Sequence, residues 1–189
     1  METDTPTEIS SETRQTSSPL SGNSRDLTKM KILVIDDEPV NVALLEGILA
    51  DSGYTRVQSI TDSRLAFETR KTFQPDLILL DLMMPHLDGF AVLETLRADQ
   101  SEILLPIIVL TADANEETKL RALRAGATDF LLKPFDQIEV LLRISNLLEM
   151  RRLHVQLDNQ RAAFEDAVRT RTAELREAQS ALERTISFD

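Results

Sequence analysis

The sequence predicts an α/β fold, a five-stranded parallel doubly wound sheet, followed by a long C-terminal helix. Three observations carry this. Short runs of β-branched and aliphatic residues recur and end on polar residues: Ile32-Leu33-Val34-Ile35 on Asp36-Asp37, Leu77-Ile78-Leu79-Leu80 on Asp81, Ile107-Ile108-Val109-Leu110 on Thr111, and Phe130-Leu131-Leu132 on Lys133. Near-continuous apolar runs of that length suit strands buried on both faces. Stretches with helical spacing separate them, as right-handed β-α-β crossovers require. From about Asn146 to Asp189 there is neither Pro nor Gly, and the stretch is rich in Ala, Leu, Glu and Arg, the composition of one long helix.

The elements follow in order. After the first strand, Glu38-Pro39 opens a helix carrying Val40, Leu44, Leu45, Ile48 and Leu49, and Asp51-Ser52-Gly53 stops it. Arg56 to Ile60 forms a short second strand. Asp62-Ser63 caps a helix running to about Thr72, which Gln74-Pro75-Asp76 breaks. The strand ending at Asp81 is third. His86 to Gly89 turns the chain into a helix lined by Phe90, Leu93 and Leu96. Pro106 opens the fourth strand. Glu116 to Ala125 is the next helix, with Gly126 as a left-handed cap. Thr128 to Leu132 is the fifth strand, and Asp136 starts a helix able to continue into the tail.

Composition narrows the function classes. The chain has 189 residues, no cysteine, a hydrophobic fraction of 42% and a formal charge of −11. Disulfide and zinc-thiolate sites are excluded. The negative charge argues against nucleic acid as a partner. Neither a bilayer-spanning apolar run nor a signal-peptide pattern is seen, which predicts a cytoplasmic protein without membrane attachment. Residues 1–28, rich in Ser, Thr and Glu, are expected to be a disordered tail. Residues 29–145 form the compact domain and 146–189 the helix.

In a doubly wound sheet the strand C-termini share one edge, where ligands bind. Asp36, Asp37 and Asp81, the Thr111 hydroxyl and the Lys133 ammonium therefore converge. Such a set describes a magnesium site beside a carboxylate that can be phosphorylated: Mg²⁺ takes hard oxygen ligands, and phosphoryl transfer needs in-line placement and charge neutralisation. Individually these residues have plainer readings, an N-cap for either Asp of the pair and a surface position for Lys133. Of the two histidines, His86 reads as an exposed loop residue and His154 as an outward helix position.

The chain resembles the receiver domain of two-component response regulators over about Met30 to Asn146. Asp36-Asp37, Asp81-Leu82-Met83-Met84-Pro85 with Asp88-Gly89, Thr111-Ala112 and Lys133-Pro134-Phe135 carry the resemblance. It implies that Asp81 accepts a phosphoryl group from a sensor histidine kinase or phosphotransfer protein. It implies Mg²⁺ held by Asp36, Asp37, Asp81 and the backbone carbonyl of Met83, with Thr111 and Lys133 on the phosphoryl oxygens. Phe130 takes the position of the switch aromatic, Pro134 that of a proline after a cis peptide bond, and Met83 and Asp113 the positions that tune dephosphorylation. A haloacid-dehalogenase-type phosphatase uses a second Asp two residues after its nucleophile, where this chain has Met83. A scaffold without phosphorylation is disfavoured by the complete residue set.

The terminal helix bears a 3-4 spacing: Met150, Leu153, Leu157, Gln160 and Phe164, then Val168, Arg171, Leu175, Ala178, Leu182 and Ile186 after a four-residue step. This is a coiled-coil seam with one stutter, and it predicts a homodimer through the helix. Folding back of the helix on its own domain is the alternative. The segment Arg169 to Leu175 resembles signalling helices that join receivers to output domains. The sequence also fits a receiver-linker fragment whose enzymatic output domain, a cyclic-dinucleotide synthase or phosphodiesterase, is absent.

Overall fold

The computed structural model describes residues 27–98, 105–113 and 115–186, with side chains through residue 180. Strands β1 (Ile32–Ile35), β2 (Val57–Ile60), β3 (Leu77–Asp81), β4 (Ile107–Thr111) and β5 (Asp129–Leu132) alternate with helices α1 (Pro39–Asp51), α2 (Ala66–Phe73), α3 (Gly89–Ala98), α4 (Glu116–Arg124) and α5 (Gln137–Ile186). The sheet is parallel throughout, in the order β2-β1-β3-β4-β5.

Because side chains alternate across a strand, each buried run serves two cores. Ile32, Val34, Leu77, Leu79, Ile108 and Leu110 meet Leu45, Ile48 and Leu49 of α1 and Val140, Ile144, Leu147 and Leu148 of α5. Leu33, Ile35, Ile78, Leu80, Ile107 and Val109 meet Ala66 of α2, Phe90, Leu93 and Leu96 of α3 and Ala122 of α4. Helices thus cover both faces of β1, β3 and β4, which are buried throughout, while the edge strands β2 and β5 are partly exposed.

Local chemistry sets the boundaries. Pro39 sits in the first turn of α1 and Gly53, at φ 86°, lies past its end. The Asp62 carboxylate accepts from Arg64 N at 3.0 Å and caps a 3₁₀ turn, Ser63–Leu65, before α2 begins. The expected single helix from Asp62-Ser63 is therefore two pieces. Gln74 ends α2 in a left-handed conformation ahead of Pro75. Gly126 has φ 103° and follows α4. The Arg97 guanidinium fastens α3 to the start of β4 and β5, donating to Gly126 O at 2.7 Å and Leu105 O at 2.8 Å.

At the N-terminus, residues 1–26 of the expected tail lie outside the described residues. Leu27 packs on the α1 and α5 core, and Thr28 O accepts from Thr55 N at 3.3 Å. At the other end, Asp136 Oδ1 accepts from Glu139 N at 2.9 Å and starts α5, a single helix of 50 residues. Its docking on the sheet runs past residue 145 to Leu148, which is fully buried. Beyond Arg152 it is almost wholly exposed. Among the described residues, no helix is long and apolar enough to cross a membrane.

Candidate functional site

The C-terminal ends of β1, β3, β4 and β5 bring the five polar residues to one edge. The register sets Ile35 beside Leu80, Asp81 beside Leu110 and Thr111 beside Leu132, so Asp36, Asp81, Thr111 and Lys133 end neighbouring strands. Oxygens of Asp36, Asp37 and Asp81 lie within 4.8 Å of one another. The Lys133 ammonium stands between two of them, 2.8 Å from Asp36 Oδ2 and 3.0 Å from Asp81 Oδ2. The Lys133–Pro134 peptide is cis, and Lys133 N donates to Thr111 O at 2.9 Å.

Asp36 is fully buried. Besides Lys133 it accepts from Glu38 N at 3.0 Å and from Asn41 Nδ2 at 3.1 and 3.2 Å, one contact to each oxygen. Asp81, 2% exposed, accepts from Met83 N at 3.3 Å. Burial raises its carboxyl above the usual carboxylate value, against the lowering pull of the Lys133 hydrogen bond. For Lys133, burial works to lower the ammonium, and the hydrogen bonds to Asp36 and Asp81 outweigh it, leaving it above its ordinary value. Among the described residues, three acids share one ammonium at this edge, which leaves the site short of positive charge.

Asp37 marks where that charge fits. Its Oδ1 is buried and makes no hydrogen bond among the described residues. An orphaned carboxylate oxygen beside two further carboxylates is a hard-oxygen donor set of the kind Mg²⁺ takes. The residues present therefore fit the ion.

The flanking residues differ in their engagement. Thr111 is buried, and its Oγ1 accepts from Asp113 N at 3.0 Å. Asp113 is exposed; its carboxylate accepts from Thr118 Oγ1 at 2.6 Å and Asn115 N at 2.8 Å, and the Thr118 hydroxyl leads in lowering its pKa. Met83 is 67% exposed in the loop after β3. His86 is exposed there at φ 73°. Phe130 is half-buried, with its ring centre 4.9 Å from Lys119 Nζ and 5.8 Å from the Arg143 guanidinium carbon. Arg143, on α5, is clamped by Asp129 and Glu139, each at 2.7 Å.

Asn41, Lys119 and Arg143 are contacts the sequence reading did not single out. For Asn41 the available signal was a polar amide among the apolar residues that open the helix, just after the acidic pair. On the exposed part of α5, Leu153, Leu157, Phe164, Val168 and Leu175 are between 47 and 70% exposed. Leu182 lies on the same helix, with its side chain outside the described residues.

The family model for the response regulator receiver domain matches residues 32–145. The chain belongs to that family. Among receiver proteins it is 43% identical over 118 residues to the alkaline phosphatase synthesis transcriptional regulatory protein PhoP of Bacillus subtilis, covering 62% of this chain and 48% of that protein. It is 31% identical over 157 residues to a probable cyclic di-GMP phosphodiesterase of Vibrio cholerae, covering 83% of this chain and 35% of that protein. This receiver chain thus spans half or less of the length of either relative. Among solved structures, it matches the receiver domain of a Pseudomonas aeruginosa sensor histidine kinase with a TM-score of 0.59 and 33% identity, covering 64% of this chain and 98% of that one. That receiver was solved with a magnesium ion coordinated in its active-site cleft.

Proposed function

We propose that the chain is a phosphorylation-dependent switch of a cytoplasmic two-component system, rather than an enzyme acting on a separate substrate. Asp81 is the nucleophile. An Asp81 carboxylate oxygen forms the new O–P bond as the N–P bond to a histidine of the donor kinase or phosphotransfer protein breaks, and the departing imidazole takes a proton. Bound Mg²⁺, held by Asp36, Asp37, Asp81 and the Met83 carbonyl, supplies charge neutralisation. Lys133 is already on Asp81 and meets the incoming phosphoryl oxygens. The Thr111 hydroxyl is the remaining donor at the edge. The observation that carries the reading is Lys133 bridging Asp36 and Asp81 at 2.8 and 3.0 Å, beside the orphaned Asp37 Oδ1.

The route outward is Phe130 and α5. Phe130 follows Thr111 as the switch residue, and its ring lies against Arg143 of α5. The apolar stripe Leu153, Leu157, Phe164, Val168, Leu175 and Leu182 then pairs with a second copy in parallel, so that both receivers stand at one end. A second reading, a receiver and linker feeding a cyclic-dinucleotide enzyme, is supported by the 157-residue match to the Vibrio cholerae protein, which is longer than the receiver alone.

Incubation with acetyl phosphate and Mg²⁺, followed by peptide mapping in a mass spectrometer, tests the central claim. The adduct is expected on Asp81 alone. Full labelling of Asp81→Asn would overturn it.

A further inference from the structure

We propose that Asn41 is a positioning residue that sets the affinity of the site for Mg²⁺ by holding Asp36. This rests on the reading of the edge as a metal and phosphoacceptor site.

Asp36 is buried, and among the described residues its two oxygens depend on three donor groups: Lys133 Nζ, Glu38 N and Asn41 Nδ2. They are not equivalent. Lys133 is shared with Asp81, so its hold on Asp36 competes with anything that adds negative charge at Asp81. Glu38 N reaches only Oδ1. Of the three, Asn41 alone spans both oxygens, at 3.1 and 3.2 Å, and so tethers the carboxylate head to the first turn of α1. An amide donor neither titrates nor carries charge. Its grip therefore does not depend on a charge of its own and is not shared with Asp81. Asn41 is itself placed by α1, whose neighbouring Val42 and Leu45 are buried in the core.

Mg²⁺ tolerates little departure from octahedral geometry, so an Asp36 free to turn makes a poorer site. Groups that orient ligands without touching the metal typically carry about 10- to 100-fold in affinity. The competing account is that Asn41 merely satisfies a buried acid, in which case its loss lowers stability and leaves Mg²⁺ affinity alone.

Calorimetric titration of the unphosphorylated full chain with MgCl₂ separates the two. Asn41→Ala and Asn41→Leu remove the donor; Ala and Leu favour helix more than Asn does, so α1 is not weakened by propensity. Both are expected to bind Mg²⁺ about tenfold more weakly or worse, and Asn41→Gln to recover part of the loss. In acetyl phosphate labelling, the Mg²⁺ concentration for half-maximal rate rises while the rate at saturating Mg²⁺ stays near that of the unsubstituted protein. Affinities within twofold of the unsubstituted protein, with a lowered melting temperature, overturn the proposal. If one donor-less variant fails to fold, the other decides by the same criterion. An unsubstituted chain that binds no Mg²⁺ sinks the reading of the edge itself, along with this inference.

Discussion

A Cβ on Gly89 would collide with the main-chain carbonyl oxygen of Asp81 and with Leu82 Cα. Gly89 N donates to Leu82 O at 3.2 Å, so the first turn of α3 is laced onto the end of β3 with no room between. Gly89→Ala must push β3 or the helix aside. It is expected to cost on the order of 1–3 kcal/mol in urea unfolding and to slow Asp81 labelling. Unfolding and labelling curves that match the unsubstituted protein would show that the loop yields freely.

Asp37 should respond in the opposite sense. Its buried, unpartnered Oδ1 is a cost to the metal-free fold. Asp37→Ala is expected to raise metal-free stability by roughly 1 kcal/mol and to lose labelling at limiting Mg²⁺. Thermal melts in chelator, paired with labelling, check both halves; undiminished labelling contradicts the assignment.

Tyr54 is the sole tyrosine, in a chain without tryptophan. Burial raises its phenol above 10.0. Because the folded value exceeds the unfolded one, the contribution to stability is complete below about pH 10 and declines as pH rises through the folded value. Tyrosinate absorbance should therefore titrate with a midpoint above 10.0 in the folded protein, and denaturant stability should fall over the same range. A midpoint at or below the ordinary value would place Tyr54 in water.

The proposed pairing of two copies through α5 is tested by truncation, and the cut must respect the core. Ending the chain after Asn146 removes Leu147 and Leu148, which are 8% and 0% exposed, and is expected to destabilise the receiver. Ending it after Arg152 keeps them, together with the Arg152–Glu149 ion pair, and should leave a folded monomer that still labels. Light scattering on the full chain and the Arg152 truncation reads the state; a dimeric truncation moves the interface onto the receiver.

Strand runs such as Leu77 to Leu80 were legible because full burial on both faces demands unbroken apolar sequence, and their terminal polar residues named the edge. What the sequence could not display were contacts made across the fold. Asn41 meets Asp36 only because α1 starts beside the edge. Gly89 is required by the close approach of α3 to β3. Arg143 meets Phe130 through the packing of α5 on β5. The end of the docked part of α5 was illegible for a related reason: helical pattern continues unchanged through the buried Leu148, so nothing local marks it.

That continuity has a mechanical consequence. Helix α5 is clamped in the core at one end and runs on without a break to Ile186. At ~1.5 Å per residue the free part extends about 57 Å beyond Leu148. It is a cantilever. A tilt of ~5° at its root would sweep the far tip through ~5 Å by the same rise per residue. Small rearrangements at the receiver edge are thereby amplified with distance.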